Sequence, residues 1–157
     1  MKTPDWRSRY KLLATHGLLQ SLIDDLSSGV QSGDPWEAQK MWVKLETVVL
    51  DHVAAEEREL LGEYAAAHPI EAARIRKDHK KIRATLAELG VRVELHSVGE
   101  AEVAALGRTL GEHASYEERT IYQWACAHPP RGEETLRGKL LRKRPASVRW
   151  RGSEPPR

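Results

Sequence analysis

The chain has a single cysteine, Cys126, so an intramolecular disulfide is excluded and nothing points to an oxidising compartment. No apolar run approaches the length that spans a bilayer. Met1 to Tyr10 is polar and lacks the apolar segment of a secretory signal, so a cytoplasmic location without membrane association is expected. The alternation of a strand and the Asn-Gly signal of a hairpin are missing. So are a phosphate-binding glycine loop, a nucleophile elbow and a zinc-finger spacing. These absences leave helices as the material of the fold.

What is present suits them. The 157 residues are enough for one domain with a real core, and Ala, Leu, Glu, Arg and Lys are plentiful. The total charge of +2 hides an asymmetry. From Arg131 onward nine Lys or Arg face three Glu, a local excess of six, which leaves −4 for the first 130 residues. Residues 131–157 therefore read as a basic, flexible tail behind a domain of residues 1–130. A nucleic-acid contact by this tail has no binding fold or stacking platform to support it, so a solvated terminus is expected.

Four apolar stripes with helical spacing can be traced. Thr3-Pro4 supplies an N-cap and a first-turn proline for the stripe Leu12, His16, Leu19, Ile23, Leu26. Ser28-Gly29 and Ser32-Gly33 break it. Asp34-Pro35-Trp36-Glu37 has the elements of a capping box and opens Leu45, Val49, His52, Glu56, Leu60, Tyr64. Pro69 opens the third stripe, Ile75, His79, Ile82, Leu86, Leu89, with Gly90 as its stop. Ser97-Val98-Gly99-Glu100 offers another box before Val103, Leu106, Leu110, His113, Glu117, Ile121, Trp124, which Pro129-Pro130 terminates. Four amphipathic helices with short links predict an all-α, antiparallel up-down-up-down four-helix bundle.

The stripes also carry a repeat. Asp51-His52-Val53-Ala54-Ala55-Glu56-Glu57-Arg58 and Glu112-His113-Ala114-Ser115-Tyr116-Glu117-Glu118-Arg119 each hold a His and a Glu one helical turn apart, on one face. Each pair follows a lone histidine, His16 or His79, at an interval of 36 or 34 residues. Each leads to a His-Pro pair, His68-Pro69 or His128-Pro129. The chain reads as a duplication.

Four histidines and two glutamates thus lie on faces assigned to the core. Burying an unpaired carboxylate costs several kcal/mol, a large share of the roughly 5–15 kcal/mol that keeps a domain folded. Metal ions resolve the conflict, because they neutralise carboxylates and take imidazole lone pairs. Imidazole and carboxylate without thiolate disfavours zinc–sulfur and iron–sulfur sites, and calcium would want oxygen alone. Iron, manganese and zinc remain, and two central carboxylates suit a bridged pair of iron or manganese ions. The expected ligands are His16, His52, Glu56, His79, His113 and Glu117, with Glu56 and Glu117 as bridges.

A lone His, a His-x-x-x-Glu, a second lone His and a second His-x-x-x-Glu on four successive helices resemble the hemerythrin-like, or HHE cation-binding, family over residues 10–128. The resemblance implies an up-down four-helix bundle around two iron ions. It further implies a role in binding or sensing a small oxidant, O₂ or NO, with redox cycling of the metal. Peroxide decomposition, and iron storage or delivery for repair of iron centres, are the alternatives it carries. One departure stands out. Oxygen-carrying members have a second His one turn from the third-helix His, and an Asp on the fourth helix. Here Ile75 and Arg83 flank His79, and the fourth helix has Glu117, which argues against simple reversible oxygen carriage.

Other residues take lesser roles. Tyr116 is a candidate ligand or proton shuttle, or a packed bundle tyrosine, and Glu59 is a weaker candidate for an extra oxygen ligand. Glu57 and Glu118 are expected in solvent, paired with Arg58, Arg119 or Arg108 at little gain. His68 and His128 read as helix-end residues and His96 as an exposed loop residue. Cys126 is expected to be a buried spectator. Trp36 and Trp42 are expected on the surface, where they could seed an interface.

Overall fold

The computed structural model describes residues 6–128. The expected cap at Thr3-Pro4, the terminator Pro129-Pro130 and the basic tail lie outside these residues. Helices α1 (Trp6–Gln31), α2 (Pro35–Glu59), α3 (Leu61–Ala67), α4 (Pro69–Glu94) and α5 (Glu100–Glu117) follow one another. A π-helical turn, Glu118–Tyr122, and a short α6, Gln123–Ala127, complete the described chain. There is no strand among the described residues. Helix α1 packs against α2 and α5, and α4 packs against the same two, so the four long helices close a ring.

The helix ends show which local signals act. Asp34 Oδ1 accepts a hydrogen bond of 2.9 Å from Trp36 N, with Pro35 in the first turn. The other half of the expected box does not form. The Asp34 amide donates to Ser32 Oγ at 3.2 Å, and Glu37 turns towards Lys40. Before α5 the box is shifted by two residues: Gly99 is the N-cap, and its amide donates to Glu102 Oε2 at 2.8 Å. Ser97 Oγ instead donates to the carbonyl of Arg92.

Two expected breaks are absent. Helix α1 runs through Ser28-Gly29, where a Cβ on Gly29 would come within 3.3 Å of the Ala38 backbone; glycine is used there for close packing on α2. The chain turns at Gly33, whose φ of +72° favours glycine. Helix α4 likewise runs past Gly90, which faces the Trp42 side chain, and ends at Glu94. The turn into α5 passes through His96 at φ 52°. Conversely, the expected second helix is interrupted at Leu60, and the expected fourth opens into the π turn directly after Glu117.

The stripes face inward and form two apolar layers. One contains Leu19, Ile23, Leu26, Trp42, Leu45, Val49, Ile82, Leu86, Leu106 and Leu110. The other contains Leu12, Leu60, Leu61, Tyr64, Ile75, Ile121 and Tyr122. Each fully buried Leu or Ile contributes about 1.5–3 kcal/mol relative to exposure. Along every long helix the polar core residues fall between these layers: His16 between Leu12 and Leu19, Glu56 between Val49 and Leu60, His79 between Ile75 and Ile82, His113 between Leu110 and Ile121. Trp42 is only 4 % exposed, contrary to expectation, because the α2–α4 contact covers it; Trp36, at 73 %, does lie on the surface.

Candidate metal centre

All six residues singled out in the sequence converge between the two apolar layers. Glu56, His79 and Glu117 are fully buried, His52 and His113 nearly so, and the His16 side chain is 5 % exposed. Two sets of four could each hold a metal ion: His16, His52, Glu56 and Glu117, and Glu56, His79, His113 and Glu117. In each set the potential ligand atoms all lie within 4.8 Å of one another. Both carboxylates belong to both sets.

The two halves match closely. Each His-x-x-x-Glu pair closes on itself, His52 Nε2 to Glu56 Oε1 at 2.8 Å and His113 Nε2 to Glu117 Oε1 at 2.9 Å. Each lone histidine reaches the opposite carboxylate, His16 Nε2 to Glu117 Oε2 and His79 Nε2 to Glu56 Oε2, both at 3.3 Å. The imidazole pairs His16–His52 and His79–His113 have centroids 4.9 Å apart and interplanar angles of 72° and 73°. The duplication read in the sequence is thus a near-twofold symmetry of side chains.

Hydrogen bonding accounts for only part of the cluster: His79 Nε2 lies 3.1 Å from Glu117 Oε1 in hydrogen-bonding geometry, but most of the other contacts lack it. His16 Nε2 lies 3.1 Å from His52 Nε2, which is 2.8 Å from Glu56 Oε1. If His52 Nε2 donates to the carboxylate it cannot accept from His16. Glu56 Oε2, Glu117 Oε2 and His113 Nε2 are buried without a hydrogen-bond partner, although His79, His16 and Glu117 respectively lie within 3.3 Å of them. At these three atoms the distances are short but the directions are wrong for hydrogen bonds. Lone pairs converging on common points fit cations in the two halves, and imidazole with carboxylate fits iron, manganese or zinc.

Charge separation follows from the same crowding. Burial alone would push the His16 imidazole down, but the carboxylates of Glu117, Glu56 and Glu118 outweigh it and raise its pKa to about 10. His79 behaves alike, with burial overcome by Glu117 and Glu56 and a pKa of about 9. Burial would raise the carboxyls of Glu56 and Glu117, yet the histidines around each hold them below the ordinary range.

The family model for the hemerythrin HHE cation binding domain matches residues 8–125. The chain belongs to the hemerythrin HHE cation-binding family. Comparison with curated proteins and with solved structures gave no match.

Around this HHE centre the structure adds residues that the sequence reading placed elsewhere. Tyr122, on the π turn, is buried and its hydroxyl donates to Glu56 Oε1. Burial and the Glu56 charge raise its pKa, so the phenol keeps its proton. Glu57 and Glu118 are not simply solvated. Glu57 Oε1 lies 3.0 Å from His79 Nδ1, and Glu118 Oε1 lies 3.0 Å from His16 Nδ1. A step of one residue past the ligand-type Glu turns these side chains to the flank of the neighbouring helix, within reach of its histidine. The Glu-Glu doublet in both repeats was the visible signal. Tyr122 had none, because the π turn that carries it leaves no mark in apolar periodicity.

The remaining candidates stand apart. Tyr116 lies under the Arg74 guanidinium, 3.8 Å from its ring centroid, and is in neither set. Glu59 pairs with Arg58 at 2.8 Å. His68 stacks on Tyr64 and His128 on Trp124, at the ends expected for them, and His96 is exposed. Cys126 is exposed rather than buried, since α6 turns Ala125 inward. Arg9, also unforeseen, is buried and donates to the carbonyls of Ala125 and His128, tying α1 to the end of α6. A polar recess of 130 Å³ lined by Arg74, Asp78, Lys81, Thr109 and Glu112 reaches His113.

Proposed function

We propose that this chain is a di-iron protein whose antiparallel up-down-up-down four-helix bundle holds two iron ions through His16, His52, Glu56, His79, His113 and Glu117. Its proposed role is to bind or sense a small oxidant, O₂ or NO, with redox cycling of the metal. The observation that carries this reading is the pair of matched four-residue sets sharing both carboxylates. Glu56 turns Oε1 to His52 and Oε2 to His79, while Glu117 turns Oε1 to His113 and His79 and Oε2 to His16, so each carboxylate would offer an oxygen to a metal in either half. Iron bound there would supply one-electron redox steps and positions open to a small ligand.

The chain's own residues do the rest. The apolar layers keep bulk water from the carboxylates. The recess between α4 and α5 borders His113, the side from which a small molecule would approach. Tyr122 holds Glu56 in place and keeps a proton next to the centre. A second reading is decomposition of peroxide, in which the phenol's hydrogen bond would hold Glu56 in position beside the reacting centre. Iron storage or delivery gains no comparable support. A cytoplasmic setting belongs to the same proposal.

Absorption spectra of iron-loaded protein test it. An oxo-bridge band that bleaches on anaerobic reduction, and new bands when O₂ or NO is added to the reduced protein, are expected. Unchanged spectra on adding either gas would exclude the binding role. Hydrogen peroxide turnover well above that of free iron would move the assignment to the second reading.

A further inference from the structure

Each half of the centre uses two adjacent glutamates, Glu56-Glu57 on α2 and Glu117-Glu118 at the α5–π junction. The first enters the cluster. The second crosses to a histidine of another helix, Glu57 to His79 and Glu118 to His16. With Nε2 directed into the cluster, Nδ1 carries a hydrogen and donates it to the carboxylate. Such a bond fixes the tautomer and the ring plane, and makes the other nitrogen a stronger donor in proportion to the charge on the acceptor.

On that measure the halves are unequal. Arg83 donates to both oxygens of Glu57, from its two terminal nitrogens, at 2.9 and 2.8 Å. The bidentate pair offsets the negative charge that His79 would otherwise feel. Glu118 has no such clamp: its side chain is 48 % exposed, and its one ion-pair contact among the described residues is His16. Water screens Glu118 but carries no opposing charge. The other two histidines make no such bond: His52 Nδ1 is buried without a partner, and Asp78, 3.7 Å from His113 Nδ1, is within ion-pair reach but beyond hydrogen-bond range, so the directly bonded Glu57 and Glu118 carry the difference.

Resting on the two-metal reading above, we infer that Glu57 and Glu118 are positioning residues for His79 and His16. We further infer that Arg83 makes a near-symmetric centre unequal, so that the His16–His52 half holds its ion more tightly than the His79–His113 half. Arg83 lies one turn past His79 on α4 and acts on the centre through Glu57.

The test uses the full metal-free chain and cobalt(II) chloride alone, added without oxygen and followed by visible absorption against a competing chelator. The wild type takes up two ions in steps whose constants differ by about tenfold or more. Glu118→Gln keeps the acceptor oxygen but removes the charge, and weakens the tighter step by about tenfold; Glu57→Gln weakens only the other. Arg83→Met tightens the weaker step and draws the two together. In the cobalt-loaded protein, the shifted Nδ1–H proton resonance of His16 moves in Glu118→Gln, and that of His79 moves in Glu57→Gln. All three side chains are partly exposed, and far-UV circular dichroism checks that each variant is folded. Equal constants in the wild type and both Gln variants would overturn the inference while leaving a two-metal centre intact. Arg83→Met weakening the second step would overturn the asymmetry, leaving Arg83 as a brace for Glu57. Failure of the wild type to bind cobalt would overturn the metal reading itself and this inference with it.

Discussion

His16 and His52 point their Nε2 atoms at each other across 3.1 Å, above the carboxylate of Glu56. Side chains placed this way resist both a shared hydrogen and separation, because the apolar layers on either side fix the helices that carry them. In the metal-free protein the conflict is eased by protons, and this makes its stability depend on pH.

The folded pKa values of His16 and His79, about 10 and 9, stand above the unfolded value of 6.5. Their contribution is fully present below about pH 6.5 and is lost as pH rises through 9 to 10. Glu56, Glu57 and Glu117 are shifted down, so their contribution is present above about pH 4.5 and lost as pH falls. The melting temperature of the metal-free protein should therefore peak between about pH 4.5 and 6.5 and decline towards pH 10. A curve still rising from pH 7 to 9 would contradict these ion pairs.

Metal uptake has the opposite dependence. His16 and His79 hold protons at pH 7 and must release them to act as ligands. Loading in weak buffer should liberate about two protons per chain, and affinity should rise with pH until about 9 to 10. Isothermal titration in buffers of different ionisation enthalpy measures that number.

Tyr122→Phe removes the hydroxyl that donates to Glu56 while leaving the ring in the Leu60, Ile75, Ile121 layer. The fold should persist, with a loss of about 1–3 kcal/mol in urea unfolding of the metal-free protein. If peroxide decomposition is the activity, the substitution should lower turnover without lowering iron content.

Cys126, exposed near the end of α6, should react with a thiol reagent in the native state at a rate close to that of the unfolded chain. Iron content should not change, since the thiol belongs to neither set of ligand candidates. Slow labelling would show that the end of α6 is covered.

Much of this architecture was legible because apolar spacing and buried charge are both written in local sequence. Leu45, Val49, His52, Glu56 and Leu60 share one face by arithmetic alone, and polar residues on such a face demand a partner. The second layer of the centre was less legible. Reading Glu57 and Glu118 as solvated treated each helix as isolated, whereas a neighbouring helix supplies the histidine each one holds. Gly29 misled for a related reason: its value lies in close packing against α2, which overrides its low helix propensity, while at Gly90 the helix simply continues past a tolerated glycine. The π turn was invisible because Ile121 already satisfied the stripe; the extra residue in that turn brings Tyr122 inward beside it.

Native mass spectrometry of protein reconstituted with ferrous iron, beside His52→Ala and His113→Ala, tests the central claim most directly. The wild type should carry two iron ions per chain. Each variant should lose stoichiometric binding while staying helical, with the metal-free state destabilised by roughly 3–5 kcal/mol as a buried partner is removed. A wild type that carries no iron, or either variant retaining two tightly held ions, would contradict the assignment of these side chains as a shared di-metal centre.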